Sequence, residues 1–204
     1  MLSFIQEVRW FIKHKIRVYK LRKLTKKKPC KIVVGSSGIF DAGWIPSNID
    51  TLNLIKSKDW ETLFNPDSID AILAEHIWEH LSVENGIMAA KMCFKYLRHG
   101  GYLRAAVPDG LHPDPKYIEW TRVGGTGPGA QDHKILYTYK TFRSIFEVAC
   151  FKVELYEYFD EQGVFHYNEW SPDKGKIYRS KRFDERNQDD GLKYTSIILD
   201  AKKE

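Results

Sequence analysis

The spacing of hydrophobic positions changes several times along the chain, and each change marks an element. Phe4, Ile5, Val8, Phe11, Ile12, Ile16 and Tyr19 recur at helical intervals with Lys and Arg between them. That pattern predicts a basic amphipathic helix within residues 1–28, ended by Pro29. Lys31-Ile-Val-Val then runs into Gly35-Ser-Ser-Gly38, a buried strand feeding a tight turn. Further strands are expected at Trp44–Ile49, with Leu52–Ile55 as an edge extension, and at Ile69–Ala74, Tyr102–Val107, Phe151–Tyr158 and Thr195–Ala201. Helical stripes cover 75–97, where Ile77, Leu81, Ile87, Ala90, Phe94 and Leu97 share a face, and 139–149. His99-Gly100-Gly101 stops the first of these, and Pro108-Asp109-Gly110 ends the following strand. A glycine-rich loop passes through Gly124–Gly129, and a long polar insertion spans 160–193 between the last two strands.

Strands alternating with helical segments predict an α/β domain with a mostly parallel sheet over 29–204, preceded by the helix of 1–28. One connection is too short for that plan. Only ten residues, Gly35 to Trp44, join the first two strands. A parallel crossover ordinarily takes about a dozen or more. The first crossover is therefore abbreviated, a nearby face of the sheet is left bare, and the N-terminal helix is expected to cover it.

Composition narrows the function classes. Of 204 residues 43% are hydrophobic, enough for one sizeable core. No run of about 18 apolar residues exists to cross a membrane. Cys30, Cys93 and Cys150 lie far apart, which excludes a cysteine zinc site and a disulfide scaffold and suits a reducing, cytoplasmic setting. The net charge of +5 hides an asymmetry. Residues 1–28 hold ten Lys/Arg against one acid, leaving 22 against 26 in the remainder. A nucleic-acid binder is thus not expected. The first 28 residues read either as a docked helix with a solvated basic face or as a contact for an anionic membrane surface or partner, peripheral at the membrane.

Candidate chemistry gathers at the ends of the predicted parallel strands, where open α/β sheets bind ligands. Gly35 and Gly38 follow the first strand, Asn48 and Asp50 the second, and Glu75-His76 the strand ending at Ala74. Asp59-Trp60 lies in an intervening loop. The stretch AEHIWEHL contains the H-x-x-E-H string of one class of zinc peptidase. It opens the expected 75–97 helix instead of lying mid-helix, so no metal is expected. Glu75 and His76 are read as edging a cofactor pocket, with Glu79 favoured by the helix dipole. A dinucleotide oxidoreductase is disfavoured because no G-x-G-x-x-G turn is present. Candidate general bases are Asp109, His112 and His133, with His133 preferred and Asp132 or Asp109 expected to orient it.

GSSGIFDAGWIPSNID, NPDSIDAILAEHIWEHL, FKYLRHGGYLRAAVPDG and ACFKVELYEYFD together resemble the class I S-adenosylmethionine-dependent methyltransferases. Within them the likeness is to bacterial methyltransferase-domain proteins with a GW turn and an EHxxEH helix, and it covers about residues 30–201. The resemblance implies a Rossmann-like sheet with an antiparallel last strand. It implies S-adenosyl-L-methionine as cofactor and methyl transfer to a small-molecule or glycan-type acceptor. It places Gly35, Ser36 and Gly38 at the methionine part of the cofactor, and Asn48 or Asp50 at the ribose hydroxyls. Asp59 would accept from the adenine amino group, Trp60 would stack on its ring, and Glu75 and His76 would border the methyl donor. His133 and Asp109 remain as catalytic candidates. Asn48 stands where the family carries an acid, so a catalytically degenerate binding protein with this fold is the alternative. A zinc hydrolase is a more distant one.

Overall fold

The computed structural model describes residues 2–204, with side chains over 6–187 and 191–204. Phe4 and Ile5 of the predicted helical stripe lie outside the described side chains. Seven strands form one sheet: β1 (Lys31–Val33), β2 (Ile45–Pro46), β3 (Ile69–Glu75), β4 (Leu97–Pro108), β5 (Lys152–Phe159), β6 (Phe165–Tyr167) and β7 (Ser196–Lys202). Their order is β2-β1-β3-β4-β7-β5-β6. β1 pairs in parallel with β2 and β3, and β3 with β4; β7 is antiparallel to β4 and β5, and β6 is antiparallel to β5. Five of the seven strands therefore run one way and the last is reversed, as expected of a Rossmann-like α/β sheet. The short antiparallel edge β6 lies inside the predicted insertion.

The helices are α1 (Leu2–Thr25), α2 (Ser57–Leu63), α3 (Val83–Tyr96), α4 (Pro115–Thr121) and α5 (Tyr139–Glu147). Alternation along the strands separates two cores. Ile32, Ile72, Leu103, Ala105, Ile197 and Leu199 face the larger one, with Trp60 of α2, Cys93 of α3 and Phe142 and Phe146 of α5. Val33, Leu73, Ala106 and Ile198 face the smaller one, with Trp44, Trp170 and Ile177. Segment 168–183 is mostly irregular, yet it does for this second face what a helix layer does elsewhere.

This corrects the expected role of α1. Its C-terminal end docks: Leu21 enters the main core, and Thr25 Oγ1 donates to the Leu63 carbonyl at 2.9 Å. Trp10, Phe11, Ile12, Ile16 and Tyr19 stay exposed. The helix leans on the α2 and β2 edge and leaves the second face to residues 168–183. The short first crossover is real, since no helix forms between β1 and β2. Leu52–Ile55 is not a strand but the approach to α2.

The expected 75–97 helix is also shorter. β3 continues to Glu75, His76 takes a left-handed φ of 55°, and Trp78–His80 form one 3₁₀ turn. The helix starts only at Val83, where Ser82 caps it by accepting from the Asn85 N–H. The H-x-x-E-H string therefore occupies a strand-to-helix loop. No helix is long and apolar enough to cross a membrane among the described residues.

Candidate functional site

The turn after β1 is closed by hydrogen bonds from its neighbour. Ser36 N–H donates to the Ser47 carbonyl at 3.0 Å, and Ser37 N–H donates to Asn48 Oδ1 at 3.0 Å. Gly35 has φ +63°, a conformation that favours glycine, while a Cβ there would meet only the side-chain tip of Ile77, which can move aside. Gly38, at φ +89°, faces open space. The carboxyl ends of β1, β2 and β3 thus converge on Gly35–Gly38, Asn48 and Glu75-His76, at the point where strand order reverses.

Other predicted site residues are placed differently. Asp50 pairs with Arg17 of α1 at 2.8 Å. Asp59 Oδ2 accepts from Asn53 N–H at 2.9 Å, holding the entry to α2. Trp60 is 0% exposed, donates its indole N–H to the Leu54 carbonyl at 3.1 Å and stacks on Tyr96. Its ring belongs to the core and cannot stack on a bound base. Glu75 accepts backbone N–H bonds from Tyr178 (3.0 Å) and Arg179 (2.7 Å), so segment 168–183 is pinned over the end of β3. Tyr178, Arg179 and Ser196 complete this rim. The aromatic and arginine content of the insertion pointed to Tyr178 and Arg179 as residues able to cover a ligand; Ser196, in β7, carried no such signal.

Asp109 is buried with both oxygens engaged, by Leu111 N–H at 2.9 Å and Phe159 N–H at 2.7 Å. Burial raises its carboxyl to about 6 against these bonds. The Tyr117 hydroxyl accepts from Asp109 N–H at 2.8 Å and donates to the Thr195 carbonyl at 2.7 Å. Asp109 therefore ties β4 to β5 and does not touch His133. His112 stacks on Tyr117, with centroids 3.9 Å apart, and bonds the Leu192 carbonyl through Nε2 at 3.0 Å.

His133 is brought to the end of β3 by the loop after α4. Lys134 N–H donates to the Glu79 carbonyl at 2.7 Å, which sets the two loops side by side. His133 is buried, and its Nδ1 donates to the Thr121 carbonyl at 2.7 Å. A backbone carbonyl, and neither Asp132 nor Asp109, therefore fixes its orientation. Its ring meets that of His80 edge-on at 4.9 Å. Glu79, His80 and His133 each offer a donor atom within 4.8 Å of the other two.

The electrostatics here are unusual. Glu79 is 1% exposed, and neither carboxylate oxygen has a hydrogen-bond partner among the described residues. Burial raises its carboxyl to about 7. His76 is lowered to about 3, first by burial and then by the Arg179 charge. Ser196 Oγ donates its one hydrogen to the Arg179 carbonyl at 2.7 Å, so it accepts from His76 Nε2 at 3.0 Å. The Nδ1 of the neutral His76 ring then carries a lone pair, 3.1 Å from Glu79 Oε1. Two electron-pair donors face each other, and a proton or a cation reconciles them.

No family model matches the chain, and no curated protein matches it. Solved structures of similar shape include a SAM-dependent methyltransferase from Archaeoglobus fulgidus, with 15% identity, 100% of each chain covered and TM-score 0.49. A SAM-dependent methyltransferase from Thermotoga maritima shows 12% identity over 99% of this chain and 97% of its own, with TM-score 0.49. Phosphoethanolamine N-methyltransferase 2 from Haemonchus contortus, in complex with S-adenosyl-L-methionine, shows 10% identity over 90% and 51%, with TM-score 0.42.

Proposed function

We propose that this chain is an S-adenosylmethionine-dependent methyltransferase acting on a small-molecule or glycan-type acceptor. The observation that carries the reading is the convergence of the Gly35–Gly38 turn, Asn48 and Glu75-His76 at the switch point of the sheet. The motif strings that resemble class I methyltransferases fall on these same strand ends. The site residues suit a nucleoside-bearing cofactor at the turn. Gly38 leaves room for close backbone approach, and the Asn48 amide nitrogen remains a free donor among the described residues. Gly35, Ser36, Gly38 and Asn48 are the residues proposed to hold it, with Glu75 and His76 at its rim. When bound, S-adenosylmethionine supplies a methyl group already activated on a sulfonium.

For a hydroxyl or amine acceptor the chain must supply a base. With His133 Nδ1 bonded to the Thr121 carbonyl, Nε2 is the nitrogen left to take a proton. Asp109, committed to two backbone N–H groups, is proposed to shape the site without receiving the proton. The exposed apolar and basic residues of α1, among them Trp10, Phe11, Lys13 and Lys15, are proposed to contact an anionic membrane surface. Co-sedimentation with anionic vesicles, lost when residues 1–20 are deleted, checks that contact.

Calorimetric titration with S-adenosylhomocysteine tests the central reading. Micromolar binding, weakened by Asn48→Ala, is expected. Absence of heat from a folded protein supports the second reading, a degenerate binding protein. That reading is favoured by one observation, the capture of both Glu75 oxygens by Tyr178 and Arg179.

A further inference from the structure

We propose that Glu79, His80 and His133 form a binding site for a divalent first-row transition-metal ion, whether or not the chain transfers methyl groups; an ion held there takes the His133 Nε2 lone pair, so the loaded site excludes that nitrogen's role as base. One donor atom of each residue lies within 4.8 Å of the other two. Ligands about 2.1 Å from a shared ion sit up to about 4 Å apart, so a small side-chain adjustment closes the set. His80 is exposed and free to make it.

Glu79 is the first observation that points to a ligand. Its carboxylate is 1% exposed, and neither oxygen accepts a hydrogen bond among the described residues. A buried carboxylate without a donor is costly to keep ionised; a proton shared with His76 Nδ1 removes that cost, and so does a cation, which the neighbouring imidazoles are placed to share. His133 is the second. Its Nδ1–H is held by the Thr121 carbonyl at 2.7 Å, which fixes the tautomer and presents Nε2 as a lone pair. Metal-ligating histidines are oriented in this way. The third is the scaffold. Lys134 N–H and Ile135 N–H both donate to the Glu79 carbonyl, at 2.7 and 3.3 Å, locking together the loops that carry the donors.

The surroundings favour a dication. Glu75 and Glu79 face one Arg179, whose Nη1 is 3.8 Å from Glu75 Oε1. His76 Nδ1, 3.1 Å from Glu79 Oε1, places a further nitrogen beside the carboxylate. Two imidazoles and one carboxylate suit Zn²⁺, Co²⁺, Fe²⁺ or Mn²⁺ over the oxygen-seeking Mg²⁺ and Ca²⁺. Three protein donors leave a face open for water or for an oxygen-bearing ligand. The helical reading of H-x-x-E-H paired His76 with His80. The folded chain instead pairs Glu79-His80 with a histidine from a distant loop.

The test uses the full, untagged chain stripped with chelator. Zn²⁺ is titrated calorimetrically, and Co²⁺ by its visible absorption. One equivalent of each is expected, with Co²⁺ bands of a site lower than six-coordinate. His80→Ala removes an exposed side chain, Glu79→Gln keeps the buried volume, and thermal melting verifies that both fold. Each should weaken Zn²⁺ by at least about tenfold, the lower end of what loss of even an outer-sphere partner costs. His99→Ala, an exposed histidine elsewhere, should change nothing. No Zn²⁺ binding by the wild type, or less than tenfold weakening in either variant, overturns the proposal. None of these readouts depends on S-adenosylhomocysteine, so failure here and failure of the methyltransferase reading are separate results.

Discussion

Replacing Asp200 by Ala should cost about 3–5 kcal/mol of stability, the loss usual when one partner of a buried ion pair is removed. Arg104 in β4 and Asp200 in β7 stand directly opposite in the antiparallel ladder. Arg104 Nε donates to Oδ1 at 2.7 Å and Nη2 to Oδ2 at 2.9 Å. Nη1 donates to the Ser171 and Gly175 carbonyls at 2.8 and 2.9 Å, and the guanidinium lies against the Tyr156 and Trp170 rings. Arg104 is 0% and Asp200 2% exposed. Without the carboxylate, the guanidinium stays buried among carbonyls and rings with no counter-charge. Screening by water is negligible at that burial, so the surface-pair figure of about 0–1 kcal/mol does not apply.

Urea unfolding followed by circular dichroism gives the global loss. Hydrogen exchange over residues 168–183 gives the local one, because the same guanidinium holds Ser171 and Gly175. Both should move together in Asp200→Ala. Arg104→Leu combined with Asp200→Leu should recover part of the global loss, since no charge is stranded, while exchange over 168–183 stays fast. A loss below about 1 kcal/mol in Asp200→Ala would refute the reasoning and mean that water reaches the pair.

Three further outcomes follow from other sites. Glu79 has a folded-state pKa raised from 4.5 to about 7, so its favourable protonated state is complete below about pH 4.5 and is lost as pH rises through 7. In chelator, wild-type stability should therefore fall relative to Glu79→Gln between about pH 5 and pH 8, by up to about 3 kcal/mol, read from urea midpoints; parallel profiles would contradict the burial argument. Gly35→Ala should lose about 1–2 kcal/mol from its positive φ, and Ile77→Val should return little of that in the double variant because the Ile77 tip moves aside on its own. Tyr117→Phe strands the Asp109 N–H and the Thr195 carbonyl and should cost about 1–3 kcal/mol by the same unfolding measurement.

What was legible in the sequence followed from burial on both faces of a strand. Lys31–Val34, Ile69–Ala74 and Thr195–Ala201 read as strands because apolar runs of that length have few alternatives, and the ten residues from Gly35 to Trp44 announced a crossover without a helix. The short helices were not legible. α2 offers only Trp60 and Leu63 to the core, too few positions to establish a period. α4 carries a local signal, Asp114 as N-cap followed by Pro115, but no apolar period to support it. Ser82 likewise marked the true start of α3, but Ile77 and Leu81 extended the apolar stripe backwards across the loop. The orientation of His133 by the Thr121 carbonyl lay beyond any pattern, because a backbone oxygen has no sequence signature.

Segment 168–183 shows why buried charge in this chain is a poor guide to chemistry until each oxygen is followed to its partner. An irregular segment packed on a sheet cannot satisfy its own N–H and C=O groups, so side chains must do it. Arg104 takes the Ser171 and Gly175 carbonyls. Glu157 accepts from Lys181 N–H and the Trp170 indole, and Glu75 from Tyr178 and Arg179. Asp109 does the same between β4 and β5, and Asp200 answers Arg104. These acids are explained by the backbone or the cation they satisfy. Among the buried acids of the described residues, Glu79 alone has no donor on either oxygen, and it lies beside two imidazoles. The architecture accounts for the other buried carboxylates and leaves this one to a proton shared with His76 Nδ1 or to a bound cation.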